Sequence, residues 1–410
     1  MVLYSYGTDI FILREGRSRR VRADNPLGVL NALLDENTME DLDPGFSSPG
    51  AVGFFGYGLR HFFERLPNRA SGDLGLPDMY FAFYDRVLCL DHRSQSLELV
   101  EIQPRIATGK HPTEPQQGIM SKPMQVATLT PGLTSNFTEG SYLEAIKKAK
   151  QYIVAGDIFQ VNLSQRFHIS TGFSPLEIYW NLERLNPSPY SCLIKFGNYA
   201  IISSSPELFL LRQGKQILTR PIKGTRPRGN TPEQDKLLKK ELYLSPKDNA
   251  ELAMIVDLER NDLGKVCEYG SVKVISASKV ETYSTLHHLV ATIEGKLREG
   301  INNIDVLRAT FPGGSVTGAP KIRAMQIIDE LEPTQRSVYT GAIGLIKFDG
   351  DMFLSMAIRI LLLQGRDAFF QTGGAIVADS DPRAEYQETL VKAKGMIAAL
   401  DPGIPISLPY

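Results

Sequence analysis

The stretch PIKGTRPRG, residues 221–229, crowds Lys223, Arg226 and Arg228 around two glycines and two prolines. Gly and Pro mark turns, so one reading is a solvated surface turn. The other is a loop whose backbone N–H groups and cations receive an anion, with the Lys223 amine placed to react. It is not a P-loop, because the GxxxxGK[ST] spacing is absent. Acids supply the second set of candidates. In SPKDNAELAMIVDLERND, Asp248 and Glu251 lie three apart, and in SDPRAEYQETLVKAK so do Glu385 and Glu388, with Lys392 four further on. Such oxygen donors suit Mg²⁺, which takes one or two carboxylates and leaves positions for a ligand's oxygens. Gly373 and Gly374 in GGAIVADS would let a backbone approach an anion closely. Each acid also has a plain structural reading as a helix-start acid, a capping partner or an i,i+4 ion pair.

These residues need elements to hold them. Ser245 followed by Pro246, and Ser380 or Asp381 followed by Pro382, predict two helix starts. In GSYLEAIKKAKQYIVAGD, the spacing of Tyr142, Ile146, Ala149 and Ile153 predicts a third helix, stopped near Gly156. IFQVNLSQRFHI alternates: Phe159, Val161, Leu163, Phe167 and Ile169 share one face, while Gln160, Asn162, Ser164, Arg166 and His168 share the other. The polar face meets bulk water, the plainer reading, or lines a wet cavity. Near the end, VYTGAIGLIKF, MFLSMAIRILLL and AFFQTGGAIV predict three strands, joined by Asp349-Gly350 and QGRD turns. Residues 1–103 carry the strand-like runs VLYSY, GAVGFFGYG, MYFAFYDRVLCLD and SLELVEI. The expected organisation is a β-rich N-terminal subdomain (1–103), a Pro-rich linker or surface loop (104–137) and a main domain (138–402). The expected class is α+β, with antiparallel sheets packed as a sandwich-like core flanked by helices.

Composition narrows the function classes. The net charge is −1, from 45 basic and 46 acidic residues, which gives nucleic acid no footing. Cys89, Cys192 and Cys267 are widely spaced and form no CxxC pair, so neither a disulfide framework nor a zinc site is expected. No apolar run is long enough for a membrane span, and the first residues look unlike a signal peptide, so a cytoplasmic protein is expected.

In chain order, GDIFQVNLSQRF, SSPELFL, PIKGTRPRG, AELAMIVDLERNDLGKV, FPGGSVTGAPKIRAMQIIDELE, YTGAIG and GGAIVADSDPRAEYQETLVKAKGM resemble the signature blocks of the chorismate-utilising enzymes. That family includes the large subunits of anthranilate and aminodeoxychorismate synthases and the isochorismate and salicylate synthases. The resemblance runs from about Tyr142 to Leu400 and implies a Mg²⁺-held dianionic substrate, chorismate. It implies that Glu251 and Glu388 are metal ligands, with Asp248 and Glu385 holding metal waters. Tyr339 and Arg359 would clamp the enolpyruvyl carboxylate, with Arg359 expected on a strand face shared with Ser355 and Ala357. Lys392, Gly373 and Gly374 would meet the ring carboxylate, and Gly224, Thr225 and Ser315 would add contacts. Glu207 would be the general acid for the C4 hydroxyl, and His288 the histidine of the site, unless it is a buried structural residue.

Two positions bear on the reaction. Gln160 stands where the water-using members carry a lysine base, which resembles the ammonia users. Lys223 stands in PIxGT where anthranilate synthases usually carry Ala, which resembles the aminodeoxychorismate branch. There the lysine attacks ring C2 and ammonia then adds at C4. A free lysine, with pKa ~10.4, is neutral in only roughly one molecule in a thousand at pH 7. Arg226, Arg228 and bound Mg²⁺ are expected to lower that pKa. No glutaminase triad is visible, so the resemblance implies a separate glutamine amidotransferase subunit as ammonia source. Anthranilate synthase component I and a non-catalytic chorismate-binding paralogue are the alternatives. Ser315 and Ala375 replace the family's frequent Thr and Gly, and the LLES motif of tryptophan-inhibited anthranilate synthases is missing.

Overall fold

The computed structural model describes residues 1–14, 16–39, 49–102 and 132–401. Most of the expected 104–137 linker lies outside the described residues. Its last part holds a short strand, Thr134–Ser135.

Two antiparallel sheets dominate the described residues. The larger has twelve strands. It runs in space from Ile222–Pro227 through Leu286–Lys296, Gln216–Arg220, Leu208–Gln213, Met352–Met356 and Ala342–Lys347. It continues through Gly50–Phe55, Met79–Tyr84, Val2–Tyr6 and Asp9–Arg14 to Arg17–Arg22, and Lys273–Thr282 also pairs with Leu286–Lys296. The smaller has seven: Tyr190–Phe196, Tyr199–Ser205, Ile360–Gln364, Asp367–Ile376, Gln160–Ser170 and Gly318–Ala319 in order, with Thr134–Ser135 also on Gln160–Ser170. Strands from the first hundred residues thus extend the same sheet as strands from the last third. A hairpin, Arg86–Asp91 with Ser96–Glu101, stands apart from both sheets. The sheets pack against each other through Phe54 and Ile343 of the larger and Ile201, Ile360 and Leu362 of the smaller. Helices Glu139–Val154, Pro175–Leu185 and Pro382–Leu400 flank the smaller sheet, and Pro246–Gly264 lies on the larger. This is the α+β class expected from the sequence. No described helix is long and apolar enough to cross a membrane.

Three local expectations change. PIKGTRPRG is not a free turn, because Ile222–Pro227 is an edge strand paired with Leu286–Lys296. Gly224 breaks the register there with a φ of +68°. MFLSMAIRILLL is two strands rather than one. Met352–Met356 belongs to the larger sheet and Ile360–Gln364 to the smaller, and the chain crosses between them at Ala357–Arg359. Arg359 therefore shares no strand face with Ser355, and it takes a left-handed φ of +50°, uncommon outside glycine. Finally, most of the polar face of Gln160–Ser170 turns away from bulk water, with His168 near its end partly exposed. Gln160, Ser164 and Arg166 are buried, and Phe159, expected to point inward, is 72% exposed just before the strand.

Candidate active site

Two crossings between the sheets meet and set the corner of the site. One runs from Tyr199–Ser205 to Leu208–Gln213 and carries Glu207; the other carries Arg359. Their backbones are tied together. The Met356 N–H donates to the Glu207 carbonyl at 3.0 Å, and the Ser204 N–H donates to the Arg359 carbonyl at 3.1 Å. The Ser205 hydroxyl donates to the Met356 carbonyl at 2.6 Å. An acid and a cation distant in sequence thus share one junction. Burial pushes the Glu207 carboxyl up to about 7, against the pull of the Ser315 hydrogen bond, Lys223 and Arg359. Burial lowers Arg359 to about 10, with Glu207 opposing.

Ser315 joins Lys223 to Glu207. The Lys223 ammonium donates to the Ser315 carbonyl at 3.0 Å, and the Ser315 hydroxyl donates to Glu207 Oε1 at 2.5 Å. Burial lowers the Lys223 pKa and the Lys392 charge assists, while Glu251, Glu207 and Glu388 oppose. The expected help from Arg226 and Arg228 is absent. Arg226 is spent on Glu241 at 2.8 Å and Asp248 at 3.3 Å, and Arg228 on Asp235 at 2.6 Å. Gly224 is needed beside the lysine, since a Cβ there would sit 2.8 Å from Asp248 Cγ in a backbone region side chains rarely adopt. Next along the strand, exposed Thr225 shares a 2.9 Å hydrogen bond with buried His288 Nδ1. Burial first, then Arg359, holds His288 down to about 3, so the imidazole is neutral at physiological pH.

The acids sit at the starts of helices Pro246–Gly264 and Pro382–Leu400, capped by Ser245 and Asp381. Glu251 is raised by burial, with Asp248 and Glu388 adding repulsion against Lys223 and Lys247. Glu385 is raised by burial too, with Glu388 on its own helix adding to it and Lys247 on the other helix opposing, so the two helices feel each other's charge. Gly374 faces them, because a Cβ there would lie 2.9 Å from Glu385 Oε2 and 3.7 Å from Glu388 Oε1. Lys392 donates to the Gly373 carbonyl at 2.8 Å and pairs with Glu388 at 2.7 Å. Among the described residues, no three His, Cys, Asp or Glu side chains form a ready-made metal cage. The donor set still fits a hard cation. Hard oxygen ligands repel one another in a partly buried cleft, and Mg²⁺ uses one or two carboxylates plus substrate oxygens and water.

Gln160 is fully buried, and neither its Oε1 nor its Nε2 has a hydrogen-bond partner among the described residues. An unpaired buried amide is costly unless something else binds it. Tyr339 is buried, with its phenol pushed up to about 12 by burial, and the Arg336 guanidinium lies 5.8 Å from its ring centroid. The sequence reading passed over Glu332 and Arg336, which form a buried ion pair at 2.6 Å. They lie four apart in ELEPTQR, but Pro333 between them ends the helix at Leu331, so no helical spacing signalled the pair.

Residues 8–398 match the family described as chorismate binding enzyme. Aminodeoxychorismate synthase component 1 of Escherichia coli is 42% identical over 398 residues, covering 95% of this chain and 86% of that one. The Bacillus subtilis protein of the same name is 40% identical over 408 residues, covering 96% and 86%. An anthranilate synthase component 1 of Haloarcula marismortui is 40% identical over 401 residues, covering 93% and 82%. The crystal structure of anthranilate synthase component I from Streptococcus pneumoniae superposes with a TM-score of 0.82 at 31% identity, covering 97% of this chain and 91% of that one. This chain belongs to the chorismate binding enzyme family and is a chorismate-utilising enzyme.

Proposed function

We propose that the chain is component I of an aminodeoxychorismate synthase, converting chorismate and ammonia to 4-amino-4-deoxychorismate for para-aminobenzoate and folate synthesis. The observation that carries the reading is the Lys223–Ser315–Glu207 chain, in which one residue holds both an amine and a carboxyl acid. Glu207, raised to about 7, still carries its proton in roughly half the molecules at pH 7, where an ordinary glutamate has lost it. Burial of Lys223 favours its neutral, nucleophilic form.

The neutral Lys223 amine bonds to ring C2, both double bonds of the cyclohexadiene shift by one position, and the C4–O bond breaks as Glu207 protonates the leaving hydroxyl to water. Ammonia then bonds to C4, both double bonds shift back, and the C2–N bond to Lys223 breaks. The nitrogen of Lys223 leaves as the free amine, and the proton released from ammonia restores Glu207. Gln160, a neutral amide, supplies hydrogen-bonding atoms without a base, which suits ammonia as the second nucleophile. Tyr339 and Arg359 would hold the enolpyruvyl carboxylate, and Lys392 with Gly373 and Gly374 the ring carboxylate. Glu251 and Glu388 would hold Mg²⁺, whose charge would bind and orient that carboxylate, with Asp248 and Glu385 beside them. The relatives' designation as component 1 supports a separate glutamine amidotransferase as the ammonia source.

Product analysis tests the reading. With chorismate, Mg²⁺ and an ammonium salt, the protein should form a product that aminodeoxychorismate lyase converts to para-aminobenzoate. Lys223→Ala should abolish that product while retaining chorismate binding. Anthranilate fluorescence appearing without a lyase would overturn the assignment in favour of the anthranilate branch.

A further inference from the structure

Arg336 is buried, takes no part in the steps above, and joins segments that do. Its guanidinium has five N–H donors, and all five are spent inside the protein. Nε and Nη2 donate to the two oxygens of Glu332 at 2.8 and 2.6 Å. Nη2 also reaches the Asn162 carbonyl at 2.7 Å. Nη1 reaches the Val316 carbonyl at 2.9 Å and the Thr340 hydroxyl at 3.3 Å. No donor is left for a substrate carboxylate, so Arg336 is not an anion receptor.

The acceptors locate its effect. Val316 follows Ser315, whose carbonyl and hydroxyl hold Lys223 and Glu207. Asn162 lies two residues from Gln160 on the same strand. The Thr340 hydroxyl donates in turn to the Tyr339 carbonyl at 2.6 Å, and Ser337 and Thr340 both take left-handed φ values, +55° and +60°. Glu332 completes the knot, since its Oε1 also accepts the Ser164 N–H at 2.8 Å and hydroxyl at 3.0 Å. The planar fork of Arg336 matches this arrangement, whereas a lysine has three donors on one point charge.

We propose that Arg336, braced by Glu332, is a positioning residue that sets the relative placement of the Ser315 segment, the Gln160 strand and Tyr339. The proposal rests on chorismate use alone and not on which amino product forms. Its test therefore follows chorismate consumption at saturating ammonium and Mg²⁺. Arg336→Lys and Arg336→Gln are compared with the parent for cooperative thermal unfolding, KM and kcat. Placement errors at reacting atoms cost rate, on the order of 100-fold for about 1 Å. In folded Arg336→Lys, kcat should fall by tenfold or more while KM for chorismate moves less than threefold. A merely structural role would lower the melting temperature and leave kcat per folded molecule intact. A kcat loss under tenfold, or a KM rise as large as the kcat loss, overturns the proposal. Should Arg336→Gln not fold, Arg336→Lys, which keeps the charge and most of the volume, decides alone.

Discussion

Helices Pro246–Gly264 and Pro382–Leu400 begin alike, with a side-chain cap, a proline in the first turn and two acids three apart, yet the acids meet different surroundings. On the first helix, Asp248 is held by Arg226 at 3.3 Å, and Glu251 has a side chain only 16% exposed. The largest attraction on Glu251 comes from Lys223, the proposed nucleophile. On the second helix, the Ser380 hydroxyl donates to Glu385 at 2.7 Å, and Glu388 is 46% exposed beside Lys392. Burial raises Glu388, but Lys392, helped by Lys247 and Lys223, outweighs it and leaves the carboxyl below its ordinary value. The same helix start thus gives one acid coupled to the proposed nucleophile Lys223 and one coupled most strongly to Lys392, which also holds the Gly373 carbonyl. Local sequence sets where a charge sits on its helix; the opposite element sets what that charge does.

The comparison separates charge supply from proton supply, and the largest test concerns the latter. Glu207→Gln should lower turnover by about 10²–10⁴-fold, the usual span for a lost general acid. In the parent, rate should fall as pH rises through about 7, because Glu207 then loses its proton, and this limb should vanish in the variant. The stability sign follows from the same shift. The folded carboxyl keeps its proton to about 7 and the unfolded one to about 4.5, so the parent loses stability as pH rises between those values. Glu207→Gln should therefore gain in melting temperature over the parent at pH 8, and the gain should fade toward pH 5. An alkaline limb that persists in Glu207→Gln would place the proton donor elsewhere.

Next in size are Glu251 and Glu388, the proposed metal ligands. Glu251→Gln, which touches both cation binding and the charge balance of Lys223, should cost about 100-fold or more in activity at limiting Mg²⁺. Glu388→Gln should cost less, roughly tenfold, because Glu388 is the more solvent-exposed of the two and water screens its charge. Mg²⁺ titrations of activity separate the two. High Mg²⁺ should restore Glu388→Gln more fully than Glu251→Gln, and equal recovery would erase the asymmetry. The smallest effect belongs to Asp248→Asn. Its partner Arg226 keeps Glu241, so activity should drop less than about fivefold and stability by about 1 kcal/mol or less. Urea unfolding and steady-state rates measure both.

How much could be read beforehand follows from the range of the interactions. Helix starts at Ser245-Pro246 and Asp381-Pro382 were legible because caps and proline act within one turn. The hairpins at Asp349-Gly350 and around Gly365 were legible for the same reason. PIKGTRPRG misled because its turn-forming residues suggest local structure, while its hydrogen bonds go to a strand some sixty residues away (Ile222 opposite Val290). MFLSMAIRILLL misled because an apolar run looks the same whether it stays in one sheet or crosses to another. Alternation in QVNLSQRFH named two faces but not what each one meets. Arg336 escaped notice because its importance lies in three acceptors, on Asn162, Val316 and Thr340, and one ion pair.

By itself the amino-acid order determined the kinds of groups available, their places on individual helices and strands, and the resemblance to chorismate-utilising enzymes. Those properties depend on short-range sterics, capping and spacing. Only the tertiary structure decided that Lys223 and Glu207 share Ser315, that Arg359 and Glu207 meet at one sheet crossing, and that burial rather than Arg226 and Arg228 lowers the Lys223 pKa. The physical reason is that desolvation and charge coupling depend on distance in space, which the pairing of remote strands sets.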